Sequence, residues 1–147
     1  MTPQRVSLIT LGVADLAVSR KFYGDLGWEP KDEVAGQVIF YQLQGAVLGL
    51  FGIGPLAEDQ GRPAAKLGTG AITLAQNMAS EAEVDAAYEK AISVGATPLK
   101  APDKVFWGGY SGYYADPDGH PWEIAFNPFW ELADDGRLIL PEPADAD

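Results

Sequence analysis

Two stretches of this chain follow the same plan. Ile9-Thr10-Leu11 is matched by Ile72-Thr73-Leu74, each on an expected strand, and each leads into a helical segment opened by an acid or a serine and closed by a glycine. In the first copy Asp15 sits where a helix cap belongs. Leu16, Ser19, Phe22, Tyr23 and Leu26 then recur at helical spacing until Gly27 stops the helix. In the second copy Ser80 and Glu83 form a capping box, Val84, Ala87, Tyr88 and Ala91 make an apolar stripe, and Gly95 closes it. Strand-like runs follow each helix, over residues 37–43 and 46–51 in the first half and from 97–100 onward in the second. Each half therefore reads strand, helix, strand, strand, strand. Repeated βαβββ units of mixed strand and helix confine the chain to an α+β architecture.

The second half ends in its most informative stretch, residues 108–128. Pro117 suits the second position of a type I turn and Gly119 a left-handed one, so Asp116-Pro117-Asp118-Gly119 reverses the chain between two aromatic, β-favouring runs. Alternation along the second run puts Trp122, Ile124 and Phe126 on one face and Glu123 and Ala125 on the other. A carboxylate on so apolar a strand either faces solvent or lines a cavity, because carboxylates are seldom buried unpaired. The sole histidine, His120, lies three residues from Glu123, which on a strand directs it to the opposite face; a structural or exposed role is expected for it.

Composition narrows the field of functions. At 147 residues the chain is one domain long, with apolar content enough for a real core. A net charge of -11 argues against nucleic acid and against an anionic membrane surface as partners. Cysteine is absent, which removes disulfides, thiolate metal sites and a cysteine nucleophile, and makes the cytoplasm the default location. The apolar stretch over residues 6–13 is broken by Ser7 and Thr10 and fits a strand better than a signal peptide, and residues 46–55 are too few to span a bilayer. Gly49, Gly52 and Gly54 lack the Lys and Ser or Thr of a phosphate loop. Residues 54–70 read as a polar, turn-rich connector that is either a plain linker or a lid. The tail over residues 141–147, rich in proline and acid, is expected to fray.

The duplicated layout, with Leu11-Gly12-Val13-Ala14-Asp15-Leu16 leading to Ser19 and Phe22-Tyr23, then Leu26-Gly27, and later Asp116-Pro117-Asp118-Gly119-His120 before Trp122-Glu123, resembles the vicinal oxygen chelate superfamily of glyoxalases, bleomycin-resistance proteins and extradiol dioxygenases. The resemblance spans residues 6–128. It implies two paired βαβββ modules whose mixed sheets curl into a cup-like half-barrel with helices outside, a small molecule bound in the cup, often beside a divalent metal, and a homodimer. On this reading residues 1–130 form a single domain, with module 1 over 4–54, a connector over 55–69 and module 2 over 70–130, and residues 131–147 are a partly disordered extension. The family's metal-ligand positions fall on Leu8, Ala71, a residue near Leu50, and Glu123. Only Glu123 is a ligand-type side chain, and firm binding needs about three protein donors. No metal and no other cofactor is therefore expected.

Three readings of the cup follow. The first is metal-free binding of a small aromatic or apolar molecule, with Trp107, Tyr110, Tyr113, Phe51 and Glu123 as the binding residues; Trp107 and Tyr110 are equally able to serve as core or dimer-contact aromatics. The second is a metal-independent lyase or isomerase with Glu123 as acid or base, its pKa raised if it is desolvated without a cation. The third is metal-dependent glyoxalase or dioxygenase chemistry, which needs ligands beyond those the register supplies. Phe129 and Trp130, beyond the last strand, are expected to pack on a helix or a second subunit.

Overall fold

The structure, a computed structural model, describes residue 2 and residues 4–142. Most of the tail expected to fray, residues 143–147, lies outside the described residues. The first half runs β1 (Leu8–Val13), α1 (Leu16–Asp25), β2 (Asp32–Val34), β3 (Val38–Gln42) and β4 (Val47–Gly52). A short helix α2 (Ile53–Asp59) follows, and then the second half: β5 (Leu74–Asn77), α3 (Glu81–Ser93), β6 (Thr97–Lys104), β7 (Tyr110–Ala115) and β8 (Pro121–Phe126). A two-stranded hairpin, β9 (Glu131–Leu132) with β10 (Leu138–Ile139), ends the described chain.

The strands form two four-stranded mixed sheets of the same order, β1-β4-β3-β2 and β5-β8-β7-β6. In each, the first strand pairs parallel with the last and the remaining pairs are antiparallel. This is the α+β, twice-repeated architecture that the sequence predicts, and within one chain the two sheets remain separate.

The helix ends obey local chemistry. Asp15 accepts hydrogen bonds from the amides of Ala17 and Val18. Ser80 Oγ accepts from the Glu83 amide, while the Glu83 carboxylate reaches back to the Ala79 amide at 2.8 Å. In the β7–β8 turn the Gly119 amide donates to the Asp116 carbonyl at 3.0 Å, with Gly119 at φ +93°. That is the reversal expected from Asp-Pro-Asp-Gly.

One core serves both halves. Alternation puts Leu11, Val13, Ile39, Tyr41, Leu48 and Leu50 on the helix-covered face of the first sheet, and Tyr114, Trp122 and Ile124 on that of the second; all are buried. Helix α1 joins them, since Tyr23 packs 5.9 Å from Tyr41 and 6.2 Å from Trp122 between ring centroids, and Phe22 packs 6.4 Å from Tyr114. Buried rings of this size contribute several kcal/mol together, on the order of 1.5–3 each.

Polar groups fasten the same junction. Asp118 accepts from the Ala14 amide at 2.7 Å and from Ser19 Oγ at 3.1 Å, and His120 Nε2 lies 2.7 Å from the Gly12 carbonyl oxygen. His120 is thus a buried structural residue that fixes the root of β8. The connector holds α2, whose Ile53 and Leu56 side chains lie over Gly12; a Cβ there would sit 3.1 Å from Leu56. Only part of the connector is therefore linker-like.

Candidate functional site

Glu123 occupies the middle of β8 on the face opposite Trp122 and Ile124. Its neighbours across the sheet are Ala75 on β5 and Tyr113 on β7. Two small residues, Ala75 and Ala125, flank the carboxylate and leave room above it. The result is a cleft of about 610 Å³, a size suited to a small organic molecule.

Aromatic side chains wall this cleft. Trp107, in the β6–β7 turn, reaches it with its indole lying over Gly109, where a Cβ would fall inside the ring. Phe129 and Trp130 complete the wall from the segment after β8. Asn127 orients that segment, since its Oδ1 accepts from the Phe129 amide at 2.9 Å and its carbonyl from the Trp130 amide at 3.2 Å. Phe129 lies against Gly108, so the extension is seated on the β6–β7 turn. Leu138 of β10 reaches the same space, as does Asn77 of β5.

The expected site residues do not all come together. Glu123 and Trp107 share the cleft. Tyr113 is the cross-strand partner of Glu123, and its phenol is held above the usual range by burial and then by the negative charge of Glu123. Tyr110 lies on the opposite face of β7, where its hydroxyl donates to Asp85 of α3 at 2.6 Å; that hydrogen bond, first among the causes, pushes its pKa up to about 12. Tyr110 is therefore a sheet-to-helix contact, because alternation along β7 separates it from Glu123. Phe51 stands on the first sheet, opposite Gly12 of β1, and the single chain does not bring it to Glu123.

Phe129 and Trp130 are the site residues that sequence reasoning missed. They follow the last strand, where the only signal is the Asn127-Pro128 turn that folds the extension back. Their proximity to Glu123 depends on tertiary packing.

The register also moves two of the positions expected to match metal ligands. Ala71 lies ahead of β5 and is exposed, so Ala75 is the residue beside Glu123. Leu50 is fully buried on the helix-covered face of its sheet, so Gly49 and Phe51 face the other way. Neither change supplies a donor. Among the described residues no group of three or more His, Cys, Asp or Glu side chains is placed to hold a metal ion. One carboxylate among alanines, asparagines and a phenol falls short of the donor set that a divalent ion requires. No described helix is long and apolar enough to cross a membrane.

Comparison with known proteins yields concordant matches. A family model described as the Glyoxalase/Bleomycin resistance protein/Dioxygenase superfamily matches residues 5–124. The crystal structure of a glyoxalase-related enzyme from Fulvimarina pelagi superposes with a TM-score of 0.88 at 42% identity, covering 94% of this chain and 99% of that one. Lactoylglutathione lyase from Agrobacterium tumefaciens shares the fold, with a TM-score of 0.70 at 24% identity over 90% of this chain and 100% of that one. An uncharacterized protein of Mycobacterium bovis, Mb0911c, is 40% identical over 42 residues, which are 29% of this chain and 28% of that protein. The match therefore spans little more than a quarter of that curated relative.

Proposed function

We propose, from the premise that this chain belongs to the glyoxalase/bleomycin resistance protein/dioxygenase superfamily, that it binds a small aromatic or apolar organic molecule in the Glu123 cleft without a metal. The observation that carries this reading is the pairing of one half-buried carboxylate with a wall of Trp107, Phe129 and Trp130. Flat rings supply affinity by stacking and burial, and a lone acceptor such as Glu123 orients a hydroxyl or amine of the ligand. The family's fold alone does not choose the chemistry, because one scaffold hosts many reactions.

The protein acts as a homodimer in this reading, in the cytoplasm, with residues 1–130 as its domain. Support comes from the apolar rim of the cleft. Phe106 is fully exposed at the tip of the β6–β7 turn, and Trp107, Phe129 and Trp130 are all substantially exposed beside it. A patch of that kind marks an interface. The face of the first sheet that carries Phe51, of which α2 covers the Gly12 end, is in this reading the complementary surface that a second copy brings to Glu123.

A second reading rests on the adjacency of Tyr113 and Glu123. A phenol paired across strands with a carboxylate is a proton donor beside an acceptor, the minimum for a metal-independent lyase or isomerase in which Glu123 is the acid or base. One experiment separates the two. A thermal-shift screen of phenols, aromatic amines and aromatic antibiotics identifies a ligand, whose saturation at about 100 Kd stabilises the protein by about 2.7 kcal/mol. Turnover of that molecule by the wild type, lost in Glu123→Gln while binding is kept, establishes catalysis; binding without turnover establishes sequestration. If no aromatic molecule shifts the transition, or if Trp107→Ala leaves the shift intact, the cleft is not the site.

A further inference from the structure

A second cleft, of about 720 Å³, opens between the two halves, along the free edge of β5. Its walls come from the end of α1 through Trp28 and Glu29, from the β3–β4 turn through residues 41–44, from β5 and Trp122, and from the β9–β10 hairpin through Gly136 and Arg137. Of the positions matched to metal ligands from the sequence, Leu8, Leu50, Ala71 and Glu123, none lies in it. It shares only Ala75, Asn77 and Leu138 with the Glu123 cleft.

The lining offers several solvent-facing hydrogen-bonding groups and one buried one. The side-chain amides of Gln44, Gln76 and Asn77 and the indole N–H of Trp28 hydrogen-bond to no other described residue. Tyr41 also lines the cleft, and its buried hydroxyl has no partner among the described residues. Native structures leave few buried polar groups unpaired, so the Tyr41 hydroxyl calls for a partner, and the solvent-facing amides beside it are free to serve the same occupant. The hairpin is pressed onto this region, since a Cβ on Gly136 would sit 2.6 Å from the Gln44 amide oxygen. Two indoles shape the wall: Trp28 and Trp122 stand perpendicular, with centroids 5.8 Å apart.

Charge narrows the class of ligand. The cleft carries one cation, Arg137, which already faces Asp135 at 3.7 Å, and one anion, Glu29. With a chain charge of -11 and no basic cluster, a phosphorylated or polyanionic ligand is disfavoured. Carboxamide side chains offer a donor and an acceptor side by side, which match the alternating N–H and C=O edge of a lactam. An aromatic platform supplies stacking to the ring itself.

We propose that this cleft is a second small-molecule site, specific for a neutral planar heterocycle with a lactam edge, stacked on Trp28 and read by the amides of Gln44 and Gln76. It is independent of the Glu123 cleft.

The test is calorimetric titration of the full chain with three phosphate-free probes of increasing ring area: uracil, hypoxanthine and lumichrome. Saturable binding is expected, tightening with ring area. Gln76→Leu, which lies on the cleft wall and not in the core, should weaken it about tenfold, the loss of one or two neutral hydrogen bonds. Glu123→Gln and Trp107→Ala should leave it within about twofold, which keeps failure here distinct from failure of the proposed function. Absence of saturable binding by all three probes overturns the proposal. So does binding that is lost in Trp107→Ala but kept in Gln76→Leu, or tighter binding of inosine 5′-phosphate than of hypoxanthine.

Discussion

The hydroxyl of Tyr23 donates a 2.7 Å hydrogen bond to Oδ2 of Asp116, across 93 positions of sequence, and both residues are buried. The Tyr23 hydroxyl oxygen itself accepts from the indole N–H of Trp122 at 3.1 Å. Asp116 Oδ1 in turn accepts from the amides of Asp118 and His120 at 3.0 and 2.9 Å. One phenol thus ties the first helix to the turn that sets the direction of β8, and with it the position of Glu123.

Removing that hydroxyl leaves a buried carboxylate oxygen and a buried indole N–H unpaired. Tyr23→Phe should lower the stability of the fold by about 3 kcal/mol, since each orphaned buried group costs roughly 1–3. Denaturant unfolding measures this as a lower midpoint with an unchanged slope. A loss under about 0.5 kcal/mol would show that the junction does not depend on the bond.

Raised phenol pKa values make the fold sensitive to alkali. Tyr110 is pushed up to about 12 by Asp85, and Tyr23 and Tyr114 are held higher still by burial and then by Asp116, against an ordinary value of 10.0. The folded chain therefore retains these protons where the unfolded chain loses them. Their stabilisation is complete below about pH 10 and declines as the pH rises beyond it. Tyrosinate absorbance should show Tyr110 ionising near 12, and Asp85→Asn should move that inflection down toward 10. Tyr23 and Tyr114 should ionise only as the structure opens.

Two glycines of the second sheet should respond differently to alanine. A Cβ at Gly112 would sit 2.8 Å from the backbone nitrogen of Pro102 in β6, which cannot move without disturbing the strand pair. A Cβ at Gly109 would meet only the outer ring of Trp107, a half-exposed side chain free to swing away. Gly112→Ala should cost about 1–3 kcal/mol. Gly109→Ala should leave the melting temperature within a few degrees and abolish aromatic ligand binding at Glu123, as seen by Trp fluorescence. Equal destabilisation by the two would contradict this placement of Trp107.

Asp118 anchors the start of α1 from the other half of the chain. Asp118→Ala removes its bonds to the Ala14 amide and to Ser19, and should cost about 1–2 kcal/mol. Asp118→Asn, which keeps an acceptor in place, should recover part of the loss in thermal unfolding.

Much of this organisation is legible in the chain because local chemistry decides it. Asp15 and Ser80 cap helices through their own side chains, and Asp116-Pro117-Asp118-Gly119 turns for steric reasons, so the repeated plan and the face of Glu123 follow from spacing. Elements without a local signal are hidden. Strand β2, Asp-Glu-Val, is exposed throughout and exists only by pairing with β3. Strand β6 continues past residue 100 through Pro98 and Pro102, which an edge strand with register shifts accommodates. Helix α2 and the β9–β10 hairpin are similarly held by what they rest on. The site divides the same way: Glu123 and Trp107 were accessible to alternation and turn reading. Tyr110, expected in the cleft, sits on the other face, toward α3. Phe129 and Trp130 come to Glu123 through a fold-back that periodicity does not encode.

The central claim is that the half-buried carboxylate and its aromatic wall hold an organic molecule and no ion. Its most direct test is a crystal structure of the protein soaked with the molecule that gives the largest thermal shift, with metal content checked by anomalous scattering. The account predicts a flat ligand between Trp107 and Trp130 with a polar group on Glu123. A metal ion bound at Glu123, or a ligand ordered elsewhere while this cleft holds only water, would contradict it.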